Sequence, residues 1–125
     1  MRKVIAHARN ALQELAAKSP QNYENKKQLV EAEYFSCRKQ NEINNEHART
    51  AYDASILAAK SSNFIHEQGL ACELAGKHFL GVGEKDVARK YLEDAQKCYT
   101  EWGCELKVHQ VKDILSGMDG EPERG

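Results

Sequence analysis

The clearest chemical motif is His66-Glu67, which lies within SNFIHEQGLACELAGKHFLGVG at residues 62–83. An exposed imidazole beside an acid that orients it can accept a phosphoryl group. The residues that follow, QGLACELA, lack the basic and threonine-proline character of a phospho-acceptor segment, and His66 falls away from the apolar stripe of its predicted helix. We therefore interpret His66 as a surface histidine. A histidine-phosphotransfer bundle with His66 as phospho-acceptor is the alternative.

The spacing of the other histidines and acidic residues does not favour a metal site or a pair of catalytic carboxylates. His78 lies beside Phe79 on an apolar stripe, and no H-E-x-x-H or paired cysteine and histidine pattern accompanies it. We predict that His78 is a partly buried packing residue. Glu31 and Glu33 are two residues apart on a predicted helix, so their side chains point to different faces. No catalytic residue, metal site or cofactor site is predicted.

Three aromatic residues lie in or directly after the fifth predicted helix and could together form an aromatic ligand-binding pocket: Tyr91, Tyr99 and Trp102. Their helical spacing is more typical of packing in the core and at its end. We therefore expect these side chains to be covered by neighbouring helices.

The overall composition excludes several classes of function. The net charge is −1 over 125 residues, so the chain has no general positive charge with which to bind a nucleic acid backbone. No apolar run approaches the roughly 18 residues of a membrane span, and the N-terminus lacks a signal-peptide pattern. We expect a cytoplasmic protein without a nucleic acid, membrane or small-molecule partner.

The four cysteines, Cys37, Cys72, Cys98 and Cys104, are far apart and form no C-x-x-C pair. A disulfide framework or a zinc site would require closer clustering. Each cysteine stands beside apolar or small residues, so we predict small buried side chains in a reducing, intracellular compartment.

The predicted fold is all-α, with about six antiparallel helices. Long stretches without glycine or proline are rich in helix-forming residues, and no alternating pattern indicates a strand. Residues 40–46, QNEINNE, indicate a turn, and 117–125 indicate a disordered tail that follows a domain spanning 1–116. The predicted helices cover about 2–18, 20–40, 45–60, 64–81, 85–101 and 103–115.

An internal repeat organises these helices into tetratricopeptide-like hairpins. HARTAYDAS at 47–55 matches VARKYLEDA at 87–95, 40 residues later. Two helices per period are typical of a helical solenoid, with units at about 20–60 and 64–101 and a closing helix at 103–115. The tetratricopeptide spacing is carried by Gly76, Phe79, Gly83, Ala88, Leu92 and Ala95.

Two small residues of the second unit, Gly76 and Ala88, should lie where its helices approach closely, with Phe79 and Leu92 filling the space beside them. Two repeats are close to the minimum for an independent solenoid, so we expect this chain to be part of a longer array.

The first helix of each hairpin lines the concave side of a solenoid, which makes that side the candidate binding surface. In the second unit this face contains Leu70, Glu73, Lys77 and Leu80. An extended peptide or a neighbouring helix would bind there. The alternative is that this face packs against adjacent repeats of a longer chain.

Four segments carry a family resemblance: LVEAE (29–33), YDASILAAKSSNF (52–64), EQGLACELAGKHFLGVGEKDVARKYLEDA (67–95) and YTEWGCELKV (99–108). They resemble the tetratricopeptide-like helical-repeat region of large multi-domain sensor (hybrid histidine) kinases with an AAA-type ATPase module. The match covers about residues 19–115. Its most distinctive residues are Tyr99, Trp102, Gly103, Lys107 and Val108. Gly69 and Cys104 depart from the family pattern, in which alanine is usual at both positions.

The resemblance implies a non-catalytic protein-interaction or scaffold module of a signal-transduction kinase or ATPase, as a fragment of a larger protein. Its partner would be another protein or neighbouring repeats of the same kinase. The sequence contains no G-x-x-x-x-G-K-[ST] loop, no D-F-G and no histidine-kinase ATP-binding motif. We therefore expect no enzymatic activity from this segment. A truncated product that is inert alone is a third interpretation.

Overall fold

The chain folds into six helices, and no strand occurs in residues 2–18, 20–38 and 40–120, which this computed structural model describes. The prediction of an all-α fold with about six helices is confirmed. Pro20 stands in the first turn of the second helix, where its missing N–H would have no intrahelical partner. In chain order the helices are α1 (Arg2–Lys18), α2 (Pro20–Ser36), α3 (Glu42–Ser61), α4 (Ile65–Gly81), α5 (Lys85–Trp102) and α6 (Glu105–Gly120).

Helix α3 begins earlier than the sequence predicts. Residues 40–46 were expected to form a turn because of their asparagines, but the helix starts at Glu42. The side chain of Asn41 accepts a hydrogen bond from the backbone N–H of Asn44 at 2.8 Å and so caps the helix. Glu42 adds a negative charge to the first turn, where the helix dipole favours it. The turn prediction is therefore wrong over most of this segment.

Helix α6 continues to Gly120, beyond its predicted end and into the segment 117–125 that we expected to be disordered. Met118 accounts for the longer helix, because its side chain is buried in the hydrophobic core together with Val111, two turns earlier on the same face. The remainder of the expected tail, 121–125, lies outside the described residues.

Each helix packs against the next along the chain, and the most extensive contacts are within the α2–α3 and α4–α5 pairs. These pairs contain the helices assigned to the predicted units at about 20–60 and 64–101, and the repeat arrangement itself stays a prediction. Helix α4 also contacts α2, so the first helices of the two pairs are neighbours. The largest fully buried apolar side chains are Tyr52, Tyr99, Phe79, Leu92 and Val111.

Two glycines of α4 make room for large side chains of α5. A β-carbon at Gly76 would lie 2.5 Å from Cγ of Leu92 and 3.3 Å from the carbonyl oxygen of Ala88. The prediction that Gly76 and Ala88 lie at a close approach of the two helices is confirmed. A β-carbon at Gly69 would lie 2.9 Å from the ring of Tyr99. The departure from alanine at Gly69 therefore has a steric reason.

The loops after α3 and α5 repeat the same backbone geometry 40 residues apart. Asn63 and Gly103 have positive φ angles of 61° and 85°. In both loops the next residue donates its N–H to the carbonyl oxygen five residues earlier, at 2.9 Å after α3 and 3.0 Å after α5. This hydrogen bond is the Schellman pattern of helix C-termini. The loop after α4 has this geometry too, with Gly83 at a φ angle of 88° and the N–H of Glu84 donating to the carbonyl oxygen of Phe79 at 2.9 Å. The three loops therefore share one way of ending a helix, and the 40-residue repeat stays a prediction.

Candidate interaction surface

Helix α4 lies between α2 and α6, and charged side chains join the three helices. The Glu67 carboxylate accepts a hydrogen bond from the Asn25 amide of α2 at 2.9 Å and pairs with Lys26 at 2.6 Å. Glu73, further along α4, pairs with Lys107 of α6 at 3.0 Å. Side chains of α2, α4 and α6 therefore contribute to one surface, which we call the α4 face.

Glu73 is buried, although its spacing with Leu70 and Lys77 predicted an exposed position. Only 2% of the residue is exposed. Its carboxylate accepts a hydrogen bond from the Tyr99 hydroxyl at 2.7 Å and pairs with Lys77 at 2.8 Å and with Lys107. Burial alone would raise the pKa of Glu73, but these three donors outweigh burial and lower the pKa below its ordinary value. Glu73 therefore stabilises the helix packing and is not presented to a partner.

The other three residues predicted to contact a partner differ in exposure. Leu70 is 39% exposed, and about half of the Lys77 side chain is exposed. Leu80 is half-buried and packs against the hydrophobic core. Leu70 and Lys77 are therefore accessible on the α4 face, whereas Leu80 belongs largely to the interior. Their role in binding stays a prediction.

Trp102 is 49% exposed, although its helical spacing predicted packing in the core or at its end. Tyr91 and Tyr99, assigned to the same stripe, are buried as predicted. Trp102 is the last residue of α5, so no further turn of that helix covers it. The centroid of its ring lies 5.2 Å from that of His66 and 6.4 Å from that of Tyr99. The indole thus places a large apolar area in solvent.

A second large exposed apolar side chain, Leu106, follows Trp102 by four residues and is in the first turn of α6. It is 68% exposed. The next residue, Lys107, reaches Glu73, which places the start of α6 beside α4. One turn separates His66 from Leu70 on α4. We call the group of His66, Leu70, Trp102 and Leu106 the apolar patch.

His66 is half-exposed, as predicted for a surface histidine. Its Nε2 lies 3.8 Å from Oε2 of Glu67, but that carboxylate is bound to Lys26 and Asn25. Burial alone would raise the pKa of Glu67, and donation from Lys26 and Asn25 lowers it. The Glu67 carboxylate therefore binds side chains of α2 and does not orient the imidazole. The ring of His66 packs against that of Trp102. This arrangement suits packing better than phosphoryl transfer.

A polar chain that the sequence did not indicate connects α2, α3 and α4. Ser36 Oγ lies 2.8 Å from Nδ1 of His78 and also hydrogen-bonds Tyr52, whose hydroxyl donates to Glu33. A serine beside a histidine has the residue types of a nucleophile and its base. However, Nε2 of His78 is buried without a hydrogen-bond partner among the described residues, so no third group orients the ring. The burial of His78 confirms the prediction of a packing histidine.

Acid is expected to destabilise the fold through His78. Burial lowers the pKa of His78 below its ordinary value of 6.5, and the charge of Glu84 offsets only part of that effect. The unfolded chain binds the proton more readily, so the free energy of unfolding falls as the pH falls below 6.5. The slope reaches at most about 1.4 kcal/mol per pH unit.

Urea unfolding between about pH 5 and 7 measures this dependence. His78→Gln should flatten it, whereas His109→Gln, at an exposed position, should leave it unchanged. An equal slope in wild type and His78→Gln would contradict the assignment.

The described part of the chain contains no group of three or more His, Cys, Asp or Glu side chains that could hold a metal ion. Nor does any helix within it have both the length and the apolar character needed to cross a bilayer.

Comparison with known proteins found no matching family model, curated protein or solved structure.

Proposed function

We propose that this chain is a non-catalytic protein-interaction module that binds a partner segment on the apolar patch. The observation that carries the proposal is the joint exposure of Leu70, Trp102 and Leu106 where α4, α5 and α6 meet. Among the residues whose exposure the structure describes, the other large exposed apolar side chains are on α1 and α3. Exposed apolar side chains grouped in this way mark interaction sites, and tryptophan is among the residues that contribute most to the energy of protein interfaces.

Charge around the apolar patch favours an acidic partner. The exposed groups on the α4 face include the lysines Lys26 and Lys77. The carboxylates with which they pair, Glu67 and Glu73, are much less exposed. On the α4 face these two ammonium groups are thus more accessible than the carboxylates that they pair with, which favours association with negative charge. We propose a segment with a leucine or aromatic anchor beside aspartates or glutamates.

The type of module proposed is a tetratricopeptide-like array. The 40-residue recurrence in the sequence supports it, as does the close helix approach at Gly76. We propose that this array is part of a larger sensor kinase or kinase-coupled ATPase. The resemblance at Tyr99, Trp102, Gly103, Lys107 and Val108 supports this.

The coding sequence on either side of this chain tests its membership in such a protein. An in-frame P-loop ATPase upstream or a kinase downstream is expected.

Selection from a displayed library of acidic amphipathic peptides tests the binding function. Peptides with an apolar anchor and neighbouring carboxylates should be enriched, and Trp102, the single tryptophan, should report binding through its fluorescence. We expect Trp102→Ala to weaken binding of a selected peptide by roughly 30-fold, as for an interface hot spot, measured by calorimetry.

Two matched variants accompany this measurement. Lys77→Glu should weaken binding of the acidic peptide, and the loss of affinity relative to wild type should grow as the salt concentration is lowered. Lys77 is chosen for the charge reversal because Glu73, its partner, is buried. Leu57→Ser removes an exposed leucine of α3 and should leave affinity unchanged. Equal affinity of wild type and Trp102→Ala for every selected peptide would contradict the proposal.

A further inference from the structure

Two thiols face each other between the tightly packed helices α4 and α5. Cys72 and Cys98 are both buried and free. The Cys72 thiol is hydrogen-bonded to the sulfur of Cys98. One turn before Cys72, a β-carbon at Gly69 would lie 3.2 Å from Cβ of Cys98, which shows how closely the two backbones approach here. A disulfide requires such proximity of the two chains.

A cavity gives small molecules access to this pair. It has a volume of about 520 Å³, and both thiols contribute to its wall. The charged residues that line it are Lys60, Lys97, Asp94 and Glu101. The cavity admits a molecule the size of hydrogen peroxide, whereas a protein oxidoreductase would be excluded by the burial of both sulfurs.

We propose that Cys72 and Cys98 form an oxidation site, at which a hydroperoxide converts the two thiols into a disulfide that joins α4 to α5. The Cys98 thiolate attacks a peroxide oxygen, and the O–O bond breaks. An alkyl hydroperoxide releases an alkoxide, which takes up a proton to become an alcohol, and hydrogen peroxide releases hydroxide, which becomes water. The Cys98 sulfenic acid is then attacked by the Cys72 sulfur. The S–O bond breaks and hydroxide leaves with the Cys72 proton as water.

The surroundings of the two thiols determine which of them reacts with the peroxide first. Burial raises the pKa of both thiols, that of Cys72 to about 12. The hydrogen bond from Cys72 partly offsets this rise at Cys98, as does the charge of Lys60, while Glu101 and Asp94 add to it. Cys98 is also the more exposed of the two residues, at 5% against 1%, so we expect Cys98 to be the thiol that ionises and meets the peroxide first. Since the thiolate is the reactive form, oxidation should accelerate as the pH rises.

The test uses the full chain with Cys37→Ser and Cys104→Ser, which leaves the pair as its only cysteines. After treatment with hydrogen peroxide, the protein is denatured and alkylated. We expect a mass lower by two hydrogens, no alkylation, and a peptide linked through Cys72 and Cys98. Failure to oxidise, addition of oxygen atoms without a disulfide, or disulfide-linked dimers alone would overturn the proposal.

Single replacements in the same background test the order. With Cys72→Ala, Cys98 should form a sulfenic acid that dimedone traps. With Cys98→Ala, Cys72 should stay a thiol, and the reverse result would overturn the assigned order. Phenylarsine oxide, which bridges two adjacent thiols, supplies a measurement that needs no replacement within the pair. One arsenical per chain is expected, and none bound would contradict the proximity on which the site depends.

Discussion

Replacing Gly76 with alanine is expected to destabilise the fold by about 2 kcal/mol, the usual cost of overpacking a core. In an unconstrained helix the same change would stabilise by about 1 kcal/mol. The difference arises because the new β-carbon would lie 2.5 Å from Cγ of Leu92, which is fully buried. Gly81 provides the control on the same helix, since a β-carbon there meets no atom within 4 Å. Gly81→Ala should therefore not destabilise.

A double-mutant cycle separates this clash from other effects at the α4–α5 contact. Leu92→Ala alone should cost about 3 kcal/mol, because it leaves a cavity in the core. In the double variant the alanine at position 76 has room, so the combined cost should be smaller than the sum of the single costs. Denaturant unfolding measures all four free energies. Strict additivity would show that Gly76 does not set the distance between the two helices.

Replacing Glu73 with leucine should cost about 2 kcal/mol, because the Tyr99 hydroxyl and the Lys107 amine lose a charged acceptor. Glu93→Leu, at an exposed site of α5, is the control and should have little effect. Wild type and variant should also differ in their response to acid. The folded pKa of Glu73 lies below its ordinary value of 4.5, so this stability is present above pH 4.5 and lost as the pH falls through the folded pKa.

Chemical unfolding at neutral and acid pH measures both effects. The difference in stability between wild type and Glu73→Leu should shrink at acid pH. A variant as stable as wild type at neutral pH would show that the lysines and Tyr99 are satisfied equally well by water.

The elements of this fold could be predicted because their signals are local. Helix composition, Pro20 and the spacing of Gly76 with Leu92 all act within a helix or between helices adjacent in sequence. Asn41 misled the prediction of α3 because the same side chain that favours a turn also caps a helix. Only the hydrogen bond to Asn44 distinguishes the two roles.

The candidate surface was predicted less completely, because exposure depends on helices that are distant in sequence. Glu73 is buried by partners from α5 and α6, and the Ser36–His78 contact spans 42 residues. One signal was available. Glu33 and Glu73 stand 40 residues apart, at the period of the repeat, and each accepts a hydrogen bond from a tyrosine. The two tyrosines, Tyr52 and Tyr99, do not share a repeat position, so the sequence shows the recurring acid but not its partner.

The central claim is that the apolar patch binds an acidic partner segment without performing chemistry. Nuclear magnetic resonance titration of the ¹⁵N-labelled chain with a selected acidic peptide tests it most directly. We expect the largest shift changes at His66, Leu70, Trp102 and Leu106, with the peptide recovered unaltered. Shift changes confined to the cavity around Asp53 and Tyr91, which side chains of α3 and α5 line, would contradict the claim. A covalent change in the peptide would contradict it as well.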